Sequence, residues 1–309
     1  MPRRFVDLHT HSLASDGQLP PAEIVRLAEA AQLAAVALTD HDTVDGLAET
    51  ASAARGFPEL KFVPGIETSA RFSGGTMHIL GLGIDAQSPA LGRICEELRA
   101  ARRERNPQMI ARLQELGFDI DMEYILATAG EMEQSTVTSR DAQASGALAR
   151  VGKPVDRQVL GRMHMAHAMR RKGYVSSVQE AFDKYLGEGR PAHVDKERLE
   201  PRALIAAILD SGGVAALAHP PQLRYQNRAQ FERILRDLIH AGLNGLEVYH
   251  GDHSVAQTRL YLDFARRFGL VATGGSDYHG PDKPQSRLGY PRVPLAAVGE
   301  ETIARLARQ

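Results

Sequence analysis

The chain has 309 residues, 37 lysines and arginines against 38 aspartates and glutamates, and a formal net charge of −1. That length buries a large core, as one α/β barrel or as two smaller domains. A near-neutral balance excludes a global field for nucleic acid or membrane and leaves only a local basic patch as a charged surface.

No window approaches the roughly eighteen apolar residues that a membrane span needs. Met1-Pro2-Arg3-Arg4 leads straight into a strand with no apolar signal region. A single cysteine, Cys95, excludes an intramolecular disulfide and reads as an inert buried thiol in helical, apolar surroundings. The expectation is a soluble cytoplasmic enzyme with no membrane attachment and no evident obligate protein partner.

The first 90 residues alternate strand and helix. Phe5-Val6-Asp7-Leu8 is strand-like and runs into His9-Thr10-His11, with Asp16 close behind. Pro20-Pro21-Ala22-Glu23 opens a helix with proline in its first turn, and Ile24, Leu27, Ala28 and Ala31 follow at helical spacing. The strand Ala35–Leu38 ends in Thr39-Asp40-His41-Asp42. A helix over about 44–54 precedes strands at 61–67, ending in Glu67, and 76–83, carrying His78. Ser88-Pro89 starts another helix.

The stretch 100–190 breaks this rhythm, being helical, charged and poor in strand signals. Ser177-Val178-Gln179-Glu180 is a capping box opening 181–186, and 128–160, rich in Ser, Thr, Gly and Gln, reads as a loop excursion. From about 201 the alternation resumes: helix 202–211, strand 213–218 ending in His219-Pro220, helix 228–241, strand 246–249, helix 255–268 and strand 270–273. Gly274-Gly275-Ser276-Asp277-Tyr278-His279 follows. Repeated βα units imply a parallel sheet with right-handed crossovers. The division is a catalytic barrel of 1–99 and 191–309, with 100–190 as a helical insertion over its active face.

Six stretches thus carry metal ligands, most after an apolar run. Ligands at the carboxyl ends of successive parallel strands converge on one face of an α/β barrel. Residues i and i+2 of a strand point the same way, so His9 and His11 can grip one ion, and Asp277 and His279 repeat the spacing. Imidazole suits Zn, Fe and Mn, and carboxylates add hard ligands that bridge two ions. Core histidines that merely satisfy hydrogen bonds would not gather at so many strand ends, so the pattern is that of a multinuclear metal site.

Asp7-Leu8-His9-Thr10-His11-Ser12 with Ser15-Asp16-Gly17 resembles the first motif of the polymerase-and-histidinol-phosphatase (PHP) domain family. Thr39-Asp40-His41-Asp42 resembles the second. Gly65-Ile66-Glu67, His78-Ile79-Leu80-Gly81, Leu217-Ala218-His219-Pro220 and Gly275-Ser276-Asp277-Tyr278-His279 resemble the later motifs, in order. The helical insertion and Glu188-Gly189-Arg190-Pro191 are similar to the nucleoside 3′,5′-bisphosphate phosphatases and related exoribonucleases of that family. The resemblance implies a distorted (β/α)7 barrel with two to three divalent ions. One ion would take His9, His11, Glu67 and Asp277. A second would share Glu67 and add His78 and His219, and a third would take Asp16, His41 and His279. Glu67, Asp277, His219 and His193 are the expected catalytic positions.

Outside that set, Arg162-Met163-His164 resembles an Arg-Pro-His element of these phosphatases, departing at Met163, and Arg102, Arg105 and Asn106 resemble a basic element at the start of the insertion. Guanidinium groups match phosphate oxygens bidentately. Arg102, Arg105, Asn106, Arg162, His164 and His193 are therefore the expected substrate contacts, with solvated helix-face charge as the bland alternative for the arginines. Asp40 and Asp42 flank His41 and are read as acceptors orienting it or as turn formers. His167, His240 and His250 are read as non-catalytic. The implied chemistry is hydrolysis of a nucleoside 3′,5′-bisphosphate, such as 3′-phosphoadenosine 5′-phosphate, by a metal-bound hydroxide, with Mn²⁺ preferred over Fe or Zn. The alternatives are a 5′→3′ exonuclease on short RNA or DNA, a histidinol-phosphate phosphatase, and a metal-dependent binding module without turnover.

Overall fold

A computed structural model describes residues 3–137, 160–195, 197–282 and 286–307. Its strands are β1 (Phe5–Asp7), β2 (Ala35–Leu38), β3 (Lys61–Ala70), β4 (Met77–Leu82), β5 (Val214–Leu217), β6 (Gly245–His250), β7 (Val271–Gly275) and the two-residue β8 (Val293–Pro294). They lie in one sheet, ordered β7-β6-β5-β4-β3-β2-β1-β8. The sheet closes on itself beyond β7: Leu8 N–H donates to the Gly274 carbonyl at 3.0 Å, and Thr10 bridges Tyr278 in parallel. Only glycine permits this approach, because a Cβ at Gly275 would stand 2.4 Å from the His9 nitrogen. The result is the distorted barrel that the motif order implied, with β8 covering the start of β1 in antiparallel pairing.

The sheet is not wholly parallel. β4 runs antiparallel to both β3 and β5. Only residues 71–76 join β3 to β4, and a parallel return needs a crossover of a dozen or more residues. Within β2, Ala35 and Ala37 face the barrel interior with Val63, Leu80 and Ala216, while Val36 and Leu38 face the helical layer with Ile24, Ala28 and Ile66. In β2 the small side chains point inward, where space is narrow, and the branched ones outward.

Helix α1 (Pro21–Ala30) has proline at its first position. α2 (Leu47–Ala54) and α3 (Pro89–Glu115) follow. α3 passes without interruption through the boundary expected at 99/100. Its Leu91, Ile94, Cys95 and Leu98 pack on the barrel's outer core, whereas Met109, Ile110 and Leu113 belong to a second apolar core. That second core is completed by α4 (Met122–Val137), α5 (Arg162–Arg171), α6 (Val178–Ala181) and the π-helical turn Phe182–Leu186. The loop expected over 128–160 is helical as far as Val137, because Ile125 and Ala129, one turn apart, are buried in this core; residues 138–159 lie outside the described set. Ser177 caps α6 as expected, accepting from Glu180 N–H at 3.1 Å, but the Glu180 carboxylate turns to Ser176 rather than closing the box. α7 (Pro201–Asp210), α8 (Arg228–His240) and α9 (Val255–Phe268) then cover the second half of the barrel, and α10 (Leu295–Val298) and α11 (Glu300–Leu306) end the chain. Among the described residues no helix is long and apolar enough to cross a membrane.

Candidate metal centre and phosphate cleft

All nine ligand positions reach one rim of the barrel. His9 and His11 follow β1, His41 follows β2, His219 follows β5, and Asp277 and His279 follow β7. Glu67 lies within β3. His78 reaches the same rim because β4 is reversed, so that its amino-terminal end, paired with Ser69, lies there. Three of the local backbones are strained: Asp42, His219 and Asp277 hold φ of 58°, 23° and 51°, conformations that persist in a non-glycine residue only where the surroundings enforce them.

Glu67 is the hub. Its Oε2 lies 3.2 Å from His9 Nε2, 3.2 Å from His11 Nε2 and 3.1 Å from His41 Nδ1. Its Oε1 lies 2.8 Å from His78 Nδ1 and 2.9 Å from His219 Nε2. Asp277 Oδ1 stands 3.2 Å from His11 Nε2 and 3.5 Å from His9 Nε2. On the far side, Asp16 Oδ1 is 3.3 Å from His279 Nε2 and Oδ2 is 3.8 Å from His41 Nε2. The ligand atoms fall into the groups His9/His11/Glu67/Asp277, His41/Glu67/His78 and His11/Asp16/His41/His279, and a fourth group, His9/Glu247/His250, borders the first. The first matches its expected set. In the second, His41 stands where His219 was expected, although His219 Nε2 lies 2.9 Å from Glu67 Oε1, and the third gains His11.

These side chains fit divalent ions. His9 Nε2, both nitrogens of His11, His41 Nδ1 and Glu67 Oε2 are buried without a hydrogen-bond partner, a costly condition unless something else satisfies them. Ligand atoms about 2.1 Å from a shared ion stand about 3.0–3.4 Å apart, depending on coordination angle, and the contacts around Glu67 Oε2 and Asp277 fall close to that range. Electrostatics agree. Burial pushes the Glu67 carboxyl up, but His41, His78 and His9 hold it well below the usual carboxylate range. Asp16 is likewise lowered against its burial by His41 and His279. Burial drives His41 down to about 3 despite Glu67 and Asp16, whereas His11, burial notwithstanding, rises to about 9 beside Asp277 and Glu67. Packed imidazoles cannot all take protons while the buried carboxylates demand positive charge, and a divalent ion resolves that conflict.

Above this floor opens a cleft of about 580 Å³ whose wall carries Arg102, Arg105, Arg162, Arg198 and His193. Burial and the neighbouring guanidiniums of Arg102 and Arg162 lower Arg105 to about 9, and burial with Arg198 and Arg102 lowers Arg162. Like charges crowded in this way invite an anion. The other expected contacts are used differently. Arg102 is bonded to Asp42 at 2.6 Å. Asn106 is fully buried behind Arg105, accepting from its Nη2 at 2.8 Å and donating to the Leu160 carbonyl at 2.8 Å. His164 Nδ1 accepts from Gly161 N–H at 3.0 Å, capping α5. Asn106 thus positions Arg105, and His164 caps the helix that begins with Arg162. Burial and Arg162 lower the His193 imidazole.

Asp40 accepts from Ser12 N–H, Ser12 Oγ and Ser15 Oγ at 2.6–2.7 Å and so shapes the first motif's turn. Asp42 holds Ser69 and Arg102. Cys95 is buried, and burial pushes its thiol up to about 12. His240 is exposed at the end of α8, and His167 bonds Gln18 at 3.1 Å. His250, by contrast, is buried at the site, its Nε2 3.8 Å from Asp277 Oδ2. Sequence reasoning also passed over Glu247 and Arg198. A lone glutamate in the apolar run Leu246-Glu247-Val248 was a signal, since such a charge is buried only when paired.

A barrel with ligand sets fused through one buried carboxylate, under a cationic cleft, defines a metal-centred hydrolase scaffold. The chain belongs to the PHP domain family, whose model matches residues 7–249. It is 36% identical over 288 residues to a 3′,5′-nucleoside bisphosphate phosphatase of Chromobacterium violaceum, covering 92% of this chain and 90% of that one. It is 31% identical over 294 residues to a phosphoribosyl 1,2-cyclic phosphate 1,2-diphosphodiesterase of Eggerthella lenta (93% and 98%). A 5′-3′ exoribonuclease of Haemophilus influenzae is 30% identical over 276 residues (89% and 90%). Among solved structures, an amidohydrolase from Chromobacterium violaceum with bound sulfate and no metal superposes with TM-score 0.79 at 32% identity (97% and 96%). A proposed metal-dependent phosphoesterase from Bifidobacterium adolescentis superposes with TM-score 0.80 at 29% identity (97% and 96%).

Proposed function

We propose that this chain is a cytoplasmic phosphomonoesterase that removes the 3′-phosphate of nucleoside 3′,5′-bisphosphates, leaving the 5′-monophosphate. One observation carries the reading: ligand sets sharing Glu67 form the floor of a cleft whose wall holds Arg105, Arg162 and Arg198. The floor suits the reacting phosphate and the wall a second one. The Chromobacterium violaceum relative named for this activity supports the substrate class.

Two to three divalent ions, Mn²⁺ in preference to Fe or Zn, would be held by His9, His11, Glu67 and Asp277, by His78, His219 and Glu67, and by Asp16, His41 and His279. When bound they neutralise phosphoryl oxygens and acidify a water. The chain's own part is to orient. The arginines fix the spectator phosphate so that the scissile one lies over the floor, turning remote binding energy into rate. His193, lowered by burial and Arg162 and hence neutral at pH 7, offers that phosphate a hydrogen bond rather than a charge. We assign substrate choice to the 100–190 insertion, which brings Arg105 and Arg162.

The test is a panel of 3′-phosphoadenosine 5′-phosphate, an aryl phosphate, histidinol phosphate and a 5′-phosphorylated RNA oligomer, assayed with Mn²⁺. The bisphosphate is expected to give the highest kcat/KM. A charged hydrogen bond contributes roughly 1.5–3 kcal/mol, so Arg162→Ala should lower kcat/KM about ten- to a hundredfold on the bisphosphate and little on the aryl ester. Preference for the oligomer would instead support the exonuclease reading, which the Haemophilus influenzae relative favours.

A further inference from the structure

Of the seven strands that close the barrel, β6 brings none of the nine ligand positions to the rim, yet it places a carboxylate inside. Leu246 and Val248 turn outward into the helical core, so Glu247 between them turns inward and is fully buried. Its two oxygens serve two different ligand segments. Oε1 accepts from His9 Nδ1 at 2.9 Å, and Oε2 accepts from the main-chain N–H of His219 at 2.6 Å. The first bond commits the His9 proton to Nδ1 and leaves the Nε2 lone pair facing Glu67 and Asp277, where that atom has no hydrogen-bond partner. The second bond holds His219 where its backbone is least comfortable, at φ 23°, ψ 68°. β6 lies tight against the strand that delivers His219, since a Cβ at Gly245 would stand 2.7 Å from Ala216 Cβ.

We propose that Glu247 is a positioning residue for the metal centre, one carboxylate that sets the tautomer of His9 and pins the turn presenting the His219 imidazole. The inference rests on the reading of this rim as a metal site. Carboxylates that accept from the far nitrogen of a ligating histidine orient it and raise its basicity, and their loss typically costs ten- to a hundredfold in metal affinity. Glu247 extends that arrangement to two segments at once, coupling His9 to His219 through a strand that carries none of the nine expected ligand positions.

Glu247→Ala removes both bonds. Glu247→Gln keeps an amide oxygen for one of them and leaves the other N–H facing an NH₂. Chelator-stripped wild type and both variants are titrated with Mn²⁺ alone by calorimetry, and thermal melts are recorded on the same stripped proteins. The expected result is Mn²⁺ binding about ten- to a hundredfold weaker in Glu247→Ala and less weakened in Glu247→Gln. In aryl phosphate hydrolysis, excess Mn²⁺ should restore kcat with KM unchanged. A drop in melting temperature with wild-type Mn²⁺ affinity marks a purely structural residue and overturns the proposal. Should Glu247→Ala fail to fold, the Glu247→Gln isotherm decides, and wild-type affinity there overturns it equally. A wild-type chain that binds no Mn²⁺ would sink the metal reading itself, an outcome distinct from variants that bind as wild type does.

Discussion

Arg102 and Asp42 are joined by two hydrogen bonds from one guanidinium to one carboxylate oxygen, Nε at 3.2 Å and Nη2 at 2.6 Å. Only 10% and 1% of the two side chains is exposed. Asp42 also accepts from Ser69 N–H and Oγ, so the pair clips α3 to the turn after β2 and to β3.

Removing one partner of such a pair strands the other charge away from water, at a cost of about 3–5 kcal/mol. Arg102→Ala is therefore expected to lower unfolding stability by about that amount in metal-stripped protein, measured by urea titration. Adding Asp42→Asn in the same chain should recover part of the loss. An unchanged urea midpoint, together with a loss of activity confined to the bisphosphate, would return Arg102 to the phosphate contacts.

His164 gives a pH dependence of defined sign. Burial lowers its imidazole to about 4, against an ordinary 6.5, and its Nδ1 must be unprotonated to accept from Gly161 N–H. The unfolded chain takes up the proton first as pH falls. The contribution is thus fully present above about pH 6.5 and is lost progressively down to about pH 4, by about 3 kcal/mol at most. His164→Gln keeps an acceptor at the third helical position without titrating. Its unfolding free energy should decline less than that of wild type between pH 7 and pH 5, and parallel declines would show that His164 does not titrate on unfolding.

Glu67 contacts five imidazoles with two oxygens, so its removal should empty more than one ion position. Glu67→Ala is expected to lower bound Mn²⁺, measured by elemental analysis after dialysis, by more than one equivalent and to abolish turnover. A site held at a hundredfold excess over its Kd adds about 2.7 kcal/mol to the folded state. Wild type should therefore melt several degrees higher with Mn²⁺, and Glu67→Ala should lose most of that shift. Loss of a single equivalent with near-normal turnover would count against bridging by Glu67.

The strands and the convergence of the nine expected ligand positions on one rim were legible in the chain for one physical reason. Apolar runs ending in His or Asp make sense where a buried strand emerges at a polar rim, and those of β1, β2, β5 and β7 do so, while Glu67 lies within β3 and His78 begins the reversed β4. Strand direction was misread at β4, although the six residues 71–76 are too few for a crossover; the βα rhythm on either side masked a local constraint. The short β8 has too few residues to show a period. Side-chain allegiance inside the insertion was legible least. Arg102, Arg105, Asn106 and His164 all read as phosphate contacts from their chemistry, yet Asp42, Arg105 and Gly161 claim three of them in space. Asp42 lies 60 positions from Arg102 and Leu160 lies 54 from Asn106, separations that no local pattern records, whereas Asn106 with Arg105 and His164 with Gly161 are near neighbours whose side-chain chemistry suits a phosphate equally well.

The two apolar cores make the division of labour between barrel and insertion testable. Leu91, Ile94, Cys95 and Leu98 of α3 belong to the barrel's core, and Met109, Ile110 and Leu113 to the other. A cut made beyond Leu98 and rejoined by a flexible linker near residue 191 therefore removes the second core nearly whole and leaves the first intact. The cut also removes Arg102, so Asp42→Asn belongs in the same chain to avoid a stranded carboxylate. Every expected ligand position lies outside the excised segment, so the shortened barrel is expected to bind Mn²⁺ and to hydrolyse an aryl phosphate at a reduced rate. It should lose most of its preference for the bisphosphate, because Arg105 and Arg162, two of the three arginines that orient the remote phosphate, leave with the insertion and oriented binding supplies much of the rate. The measurement is the ratio of kcat/KM for bisphosphate over aryl ester, in shortened and full chains loaded with equal metal. A ratio unchanged by the excision would place substrate choice in the barrel's own rim, with Arg198 and Arg224 as the remaining cleft cations.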